Sequence, residues 1–192
     1  MVNPKRVRPV DDYGPLNGTG RRVANLFAVS FIAGIWGAIT ISLIMLIGRL
    51  AGLQDFSLEL LLGTLVTGRL DAGSWIVGFI WHIMNGGVFG LFYAALFRWI
   101  GKAGALAGAQ VAVIHWLVGG FLVGLTSAMN PFIPALMRPV GFFGAGYGNA
   151  AIFVLFAAHI AYGVVVGVID RASREPAIPI SEDQGPRDRL AA

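Results

Sequence analysis

Trp81-His82-Ile83-Met84-Asn85-Gly86-Gly87-Val88-Phe89-Gly90 decides the fold. The stretch is apolar apart from one imidazole and one amide, and it sets His82, Gly86 and Gly90 at four-residue steps. Four residues advance an α-helix by about 400°, so these three stack on one face with a slight drift. Glycine gives up helix propensity and side-chain contact, so in a membrane helix such a stripe marks where another backbone comes close. The same order returns as His159, Gly163 and Gly167, and more loosely as His115, Gly119 and Gly124, with Gly120 and Gly124 forming a GxxxG pair. These glycines are expected to carry helix-helix packing, each groove having one imidazole at its end.

Composition agrees with a membrane setting. Of 192 residues, 56% are hydrophobic and 12% charged, and 27 are glycine, far from the soluble average. The net charge of +4 sits at the ends of apolar runs, which fits a membrane protein and gives no reason to expect a nucleic-acid partner. Cysteine is absent, which excludes a disulfide framework, a thiolate metal site and a cysteine nucleophile.

Residues 23–48, 72–97, 103–137 and 139–169 contain no Asp, Glu, Lys or Arg. A bilayer span needs roughly 20 apolar residues, so helices are expected near 23–48, 74–98, 103–127 and 148–170. The fold class is then all-α, a four-transmembrane-helix bundle in contact with lipid. Residues 1–22, with five basic side chains among prolines and glycines, read as a disordered basic tail. Residues 171–192 read as a second polar tail. The two tails and the turn holding Arg98 and Lys102 share eleven basic residues, against Arg49, Arg69 and Arg138 on the other face. The positive-inside rule puts both termini in the cytoplasm.

The two outer loops differ in kind. Residues 55–67 are apolar but too short to span, with Asp55 or Ser57 as a cap, and predict a short interfacial helix. Residues 128–147 mix three prolines with glycines and aromatics. Such a segment is irregular and belongs on the bundle mouth or in the headgroup layer, or over a pocket as a lid.

A shift of 77 residues lays Phe79, His82, Ile83, Gly86, Val88 and Gly90 over Phe156, His159, Ile160, Gly163, Val165 and Gly167. That suggests two tandem helical hairpins related by an axis along the membrane normal. At the same shift Ser30 and Gly34 meet Ala107 and Val111, so the first and third helices do not follow.

The stretches Gly37–Met45, Trp81–Ala94, Ile114–Gly120, Gly141–Phe143 and His159–Gly167 together resemble a group of small prokaryotic four-helix membrane proteins catalogued as a domain of unknown function. The resemblance covers roughly residues 33–169. It implies the four-span architecture and a prokaryotic inner membrane, and it carries no activity and no functional residues.

His82, His115 and His159 are the ionisable side chains inside the expected spans, and such groups in a bilayer are functional candidates. Counted from the cytoplasmic ends, they lie at roughly 24, 20 and 17 Å, a spread of about 8 Å. One reading makes them cofactor ligands, for haem b through two axial imidazoles or for a transition metal such as copper or zinc. On that reading the glycines below each ring leave room for a flat macrocycle. The other reading makes each ring a cross-helix hydrogen-bonding group, to Ser30, Thr40, Asn85, Tyr162 or a carbonyl opposite a glycine. No phosphate loop, Ser-His-Asp set or HExxH pattern is present, so catalytic residues are not expected. The functional expectation is a non-enzymatic membrane protein that packs against other transmembrane subunits or itself, as an accessory part of a larger complex. The alternative is an electron-transfer or metal-handling protein built on the three histidines.

Overall fold

The computed structural model describes residues 18–174, with side chains from Asn25 onward. Residues 1–17 and 175–192, which hold most of the two expected tails, lie outside the described residues. The described chain is all-helical: α1 Gly18–Leu50, α2 Leu58–Thr67, α3 Ala72–Ile100, α4 Ala105–Met129 and α5 Asn149–Arg174, with a 3₁₀ turn at Phe142–Tyr147 ahead of α5. Four of these helices, α1, α3, α4 and α5, are long and apolar enough to cross a membrane. The build is that of a multi-pass membrane protein and a four-helix bundle. α1 begins inside the segment expected as basic tail, and α5 continues four residues past the expected end.

The helix ends follow their capping chemistry. Ser57 accepts the Leu60 N–H at the start of α2, and Gly68 ends it in the left-handed conformation, φ 62°. Asp71 starts α3 by accepting the Ser74 N–H at 2.9 Å, and it also receives the Ser74 hydroxyl and pairs with Arg69. The Ser74 amide, then its hydroxyl, then Arg69 hold the Asp71 carboxyl below its ordinary value. A depressed folded-state value stabilises the fold above the unfolded value near about 3.9 and is lost as pH falls through the folded one. Asp71→Asn is therefore expected to lower thermal stability at pH 7 and to narrow its gap to the wild type as pH falls below the ordinary carboxylate range. Thermal melts in mild detergent across that range check the sign.

Packing places the long helices in a row, α3 then α1 then α5 then α4, with every neighbour in that row closely packed. The contacts between α1 and α3 are backbone to backbone: a Cβ on Gly34 would run into the Gly86 carbonyl, and one on Gly90 into the Ser30 carbonyl. Between α4 and α5 the equivalent collisions are Gly108 with Gly163 and Gly167 with the Gly104 carbonyl. Gly86 faces the Ala38 methyl just as Gly163 faces the Ala112 methyl. A shift of 74 residues thus carries Ser30, Gly34 and Ala38 onto Gly104, Gly108 and Ala112, whereas α3 maps to α5 with a shift of 77. Tandem hairpins are present in three dimensions. A single fixed shift misses them because the two helices of each hairpin differ by three residues in register.

The end of the bundle that holds α2 and the 130–148 loop, expected from the sequence to be the outer one, is covered. α2 crosses α3 where Gly63 meets Ser74 and Gly78 meets Glu59, and it buries Glu59, Leu61 and Thr64. Asn130, the residue that ends α4, donates to the Thr64 hydroxyl at 2.7 Å and the Leu61 carbonyl at 3.2 Å, and accepts the Phe132 N–H at 2.9 Å. The irregular outer loop lies on α4, with Phe143 against Gly120 and Phe142 against Gly124. Both glycines were expected to seat a helix. They seat aromatic rings of the loop instead, because the 3₁₀ turn reaches back over α4.

Candidate functional site

In a closed two-fold bundle of two hairpins, the α1/α5 interface has an equivalent in α4/α3. The first is tightly packed; in the second, α3 and α4 barely meet. Side-chain size accounts for the difference. In the closed interface Gly37 lies flat against the Tyr162 ring. By the register above, Gly37 corresponds to Val111, Ile41 to His115 and Val166 to Phe89. The open side thus carries Phe89, His115 and Val111 where the closed side carries two aliphatics and a glycine, and Asn85 where the closed side has Tyr162; the Phe89 ring stacks on His115 with centroids 4.1 Å apart.

Two cavities follow from this seam. The outer one, of about 270 Å³, is walled by α3, α4 and α5 through His82, His115 and His159 and by α1 through Ala38 and Ile41, and roofed by Leu58 and Leu62 of α2. The second, of about 410 Å³, continues between α3 and α4 along Phe92, Leu96, Val111, Ile114 and Val118. Phe89 and His115 line both cavities and form the step between them.

All three histidines are more than nine-tenths buried. His115 and His159 are in edge-to-face contact, 4.8 Å between centroids, and Tyr162 also meets the His115 ring at 4.7 Å. His82 lines the same outer cavity. The depth spread read from the sequence therefore does not keep them apart. Their hydrogen bonds run mostly to carbonyls. His159 Nδ1 donates to the Leu155 carbonyl at 2.7 Å and His82 Nε2 to the Ala38 carbonyl at 3.3 Å. His115 Nδ1 meets the Tyr93 hydroxyl at 3.4 Å. Of the cross-helix partners expected from the sequence, only the carbonyl opposite a glycine is used, that of Ala38 across from Gly86. Ser30 turns to the Leu26 carbonyl and Asp170, Thr40 to the Trp36 carbonyl, and Tyr162 to the Gly86 carbonyl at 2.6 Å.

The glycines do not leave room for a macrocycle. Gly86 and Gly90 are filled by α1, and Gly163 and Gly167 by α4. Gly86 and Gly119 border the histidine cavity, and a Cβ on Gly119 would stand 2.9 Å from His159 Nε2. Among the described residues no group of three His, Cys, Asp or Glu side chains is arranged to hold a metal ion.

Two buried carboxylates escaped the sequence reading. Asp170, 1% exposed, receives Ser30 and pairs with Arg174 near the C-terminal end of α5. Glu59, also 1% exposed, pairs with Arg49 at 3.7 Å. Asp170 follows Gly163 and Gly167 on the same helical face, a signal concealed by its place at the charged end of the expected span. Comparison of the chain with protein families, curated proteins and solved structures yields no match.

Proposed function

We propose that this is a non-enzymatic integral membrane protein whose working surface is the seam between α3 and α4, where it receives a membrane-borne partner as an accessory component of a larger membrane assembly. The observation that carries the reading is the single open interface. Three of the four helix pairs that close a two-fold bundle are packed and the fourth is not. Its walls hold the buried histidines as well as apolar surface. The glycine faces support packing within the chain, so the seam is the surface left for a partner. The excess of Lys and Arg on one face supports cytoplasmic termini in a prokaryotic inner membrane.

The contact between His115 and His159 favours a second reading, ligation of haem b or a transition metal. A cavity of about 270 Å³ lies at the small end of ligand sites, which run from about 300 to 1,000 Å³, and this weighs against haem. A visible spectrum and metal analysis of the purified protein decide it: a Soret band or stoichiometric metal lost in His115→Ala and His159→Ala would replace the first reading.

The seam itself is tested by a photo-reactive amino acid placed at Ile114, inside the groove, and at Ile32, exposed on α1 away from it. Irradiation in native membranes is expected to give one discrete adduct at Ile114 and a mixture of bulk lipid adducts at Ile32. The same mixture at both positions would overturn the proposal.

A further inference from the structure

The two cavities differ in chemistry but form one groove. The outer one holds buried nitrogens; the inner one is lined by Phe, Leu, Val and Ile side chains, with Tyr93 and His115 at its edge. The hydrogen bonds of the histidines fix what the outer cavity offers. A carbonyl only accepts, so His159 Nδ1 and His82 Nε2 carry the ring protons. In each neutral ring the other nitrogen is then an acceptor. Neither His159 Nε2 nor His82 Nδ1 has a hydrogen-bond partner among the described residues. His159 is 5% exposed and its free nitrogen stands over Gly119 at the cavity wall. Among the described residues the sealed side-chain polar atoms without a partner are Ser42 Oγ and Trp116 Nε1, so these two nitrogens are reached from the cavity, which offers them as acceptors to a donor from outside the chain.

The charge of that donor is also constrained. Among the described residues no Lys, Arg, Asp or Glu lines the outer cavity, and Glu59, the carboxylate near His82, is already paired with Arg49. A phosphate or ammonium head placed there would lack a counter-charge, which a buried ion requires. An uncharged O–H satisfies both conditions. Behind such a head the groove continues along α3 and α4, and its rim residues Phe92 and Ile114, 60% and 57% exposed, open it sideways.

We infer that the seam binds an uncharged amphiphile whose head donates an O–H hydrogen bond to His159 Nε2 and, where it carries a second hydroxyl, another to His82 Nδ1, and whose apolar tail lies between α3 and α4 along Phe92, Val111 and Ile114. This rests on the reading of the seam as a binding surface and names what fills it. Two sources supply the chemistry, a phenolic head such as a hydroquinone and an aliphatic isoprenoid or acyl alcohol. The Asn85 amide, exposed at the cavity wall, is available to a second oxygen on either. The Phe89 and His115 step lies where head gives way to tail.

The test uses the full chain in nanodiscs, titrated with decylhydroquinone, its dimethyl ether and farnesol, and read by native mass spectrometry. One or both O–H probes are expected to bind one to one, with the ether at least tenfold weaker than the hydroquinone, roughly a factor of ten for each well-placed hydrogen bond lost. The tighter of the two O–H probes assigns the source. Gly119→Ala sets a methyl over His159 Nε2 while raising helix propensity, and it is expected to abolish the preference for O–H over ether. His159→Phe is expected to do the same. Ile114→Trp, at an exposed groove position, is expected to weaken every probe. Equal binding of hydroquinone and ether, still weakened by Ile114→Trp, would overturn the assignment of the head and leave the seam as a binding surface. Binding of no probe, or binding indifferent to Ile114→Trp, would overturn the proposed ligand class, and the Ile114 photo-adduct then decides the seam separately.

Discussion

Gly90→Leu is expected to destabilise the bundle by about 3 kcal/mol, the upper end of the usual range for an overfilled interior. The position explains the size of the effect. A side chain at Gly90 meets the Ser30 carbonyl and the Gly34 backbone of α1 rather than another side chain. A side chain can change rotamer; a helix backbone can only move away, and α1 also holds α5. Gly167→Leu, which meets Gly104 and Gly108 in the same manner, is expected to behave alike. Val88→Leu on the same helix as Gly90, half-exposed, is the control and is expected to stay within about 0.5 kcal/mol. Unfolding by a denaturing detergent in mixed micelles reads all three. A Gly90→Leu protein as stable as the control would mean that α1 and α3 do not approach at Gly90.

The second large effect is expected at Asn130, outside the spans but 3% exposed. Its amide donates to Leu61 and Thr64 of α2, and its oxygen accepts from Phe132. Asn130→Ala removes these three bonds at once and leaves the Phe132 N–H without its acceptor. At roughly 1 kcal/mol for each bond lost, a cost of about 3 kcal/mol is expected. The loss should be local first: α2 covers the histidine cavity, and its amides are expected to exchange hydrogen faster while those of α1 and α5 keep their protection. Asn130→Asp keeps an acceptor for Phe132 and loses both donors to α2, so it isolates the tie between the helices. Unchanged exchange in α2 of the Asp variant would show that the Gly63 and Gly78 crossing holds the helix without Asn130.

Much of the architecture was legible because membrane sequences punctuate themselves. Charges are so costly in a bilayer that their absence over residues 23–48 or 72–97 reads as a span, and glycines at four-residue steps read as close helix contact. The histidines were legible as candidates for the same reason. What those residues touch was not legible. The expected room beneath His82 and His159 disappears because Gly86, Gly90, Gly163 and Gly167 each admit a helix, and a glycine in sequence does not say whether a backbone or a ligand fills its space. Gly120 and Gly124 face loop aromatics, a contact between segments that no local periodicity encodes. The repeat failed in α1 and α4 through a three-residue difference in register, invisible until the two sets of glycine contacts are set side by side. The open seam depends on Phe89 and His115 standing where the other hairpin has Val166 and Ile41. That difference has meaning only once α3 is known to face α4.

The spine of the bundle also sets an order of assembly. The α1/α3 hairpin uses contacts near in sequence, and so does α4/α5. The two hairpins are joined through α1 and α5, whose Ser30 and Asp170 meet across 140 residues of chain. Distant pairings form late, since the loop they close has to be ordered before they repay its entropy. Each hairpin is therefore a unit that matures as it leaves the ribosome, and the four described spans become one body only when α5, made after the other three, reaches back past α4 to clasp α1. Until that clasp closes, the glycine faces are already covered and the histidine wall is only half built.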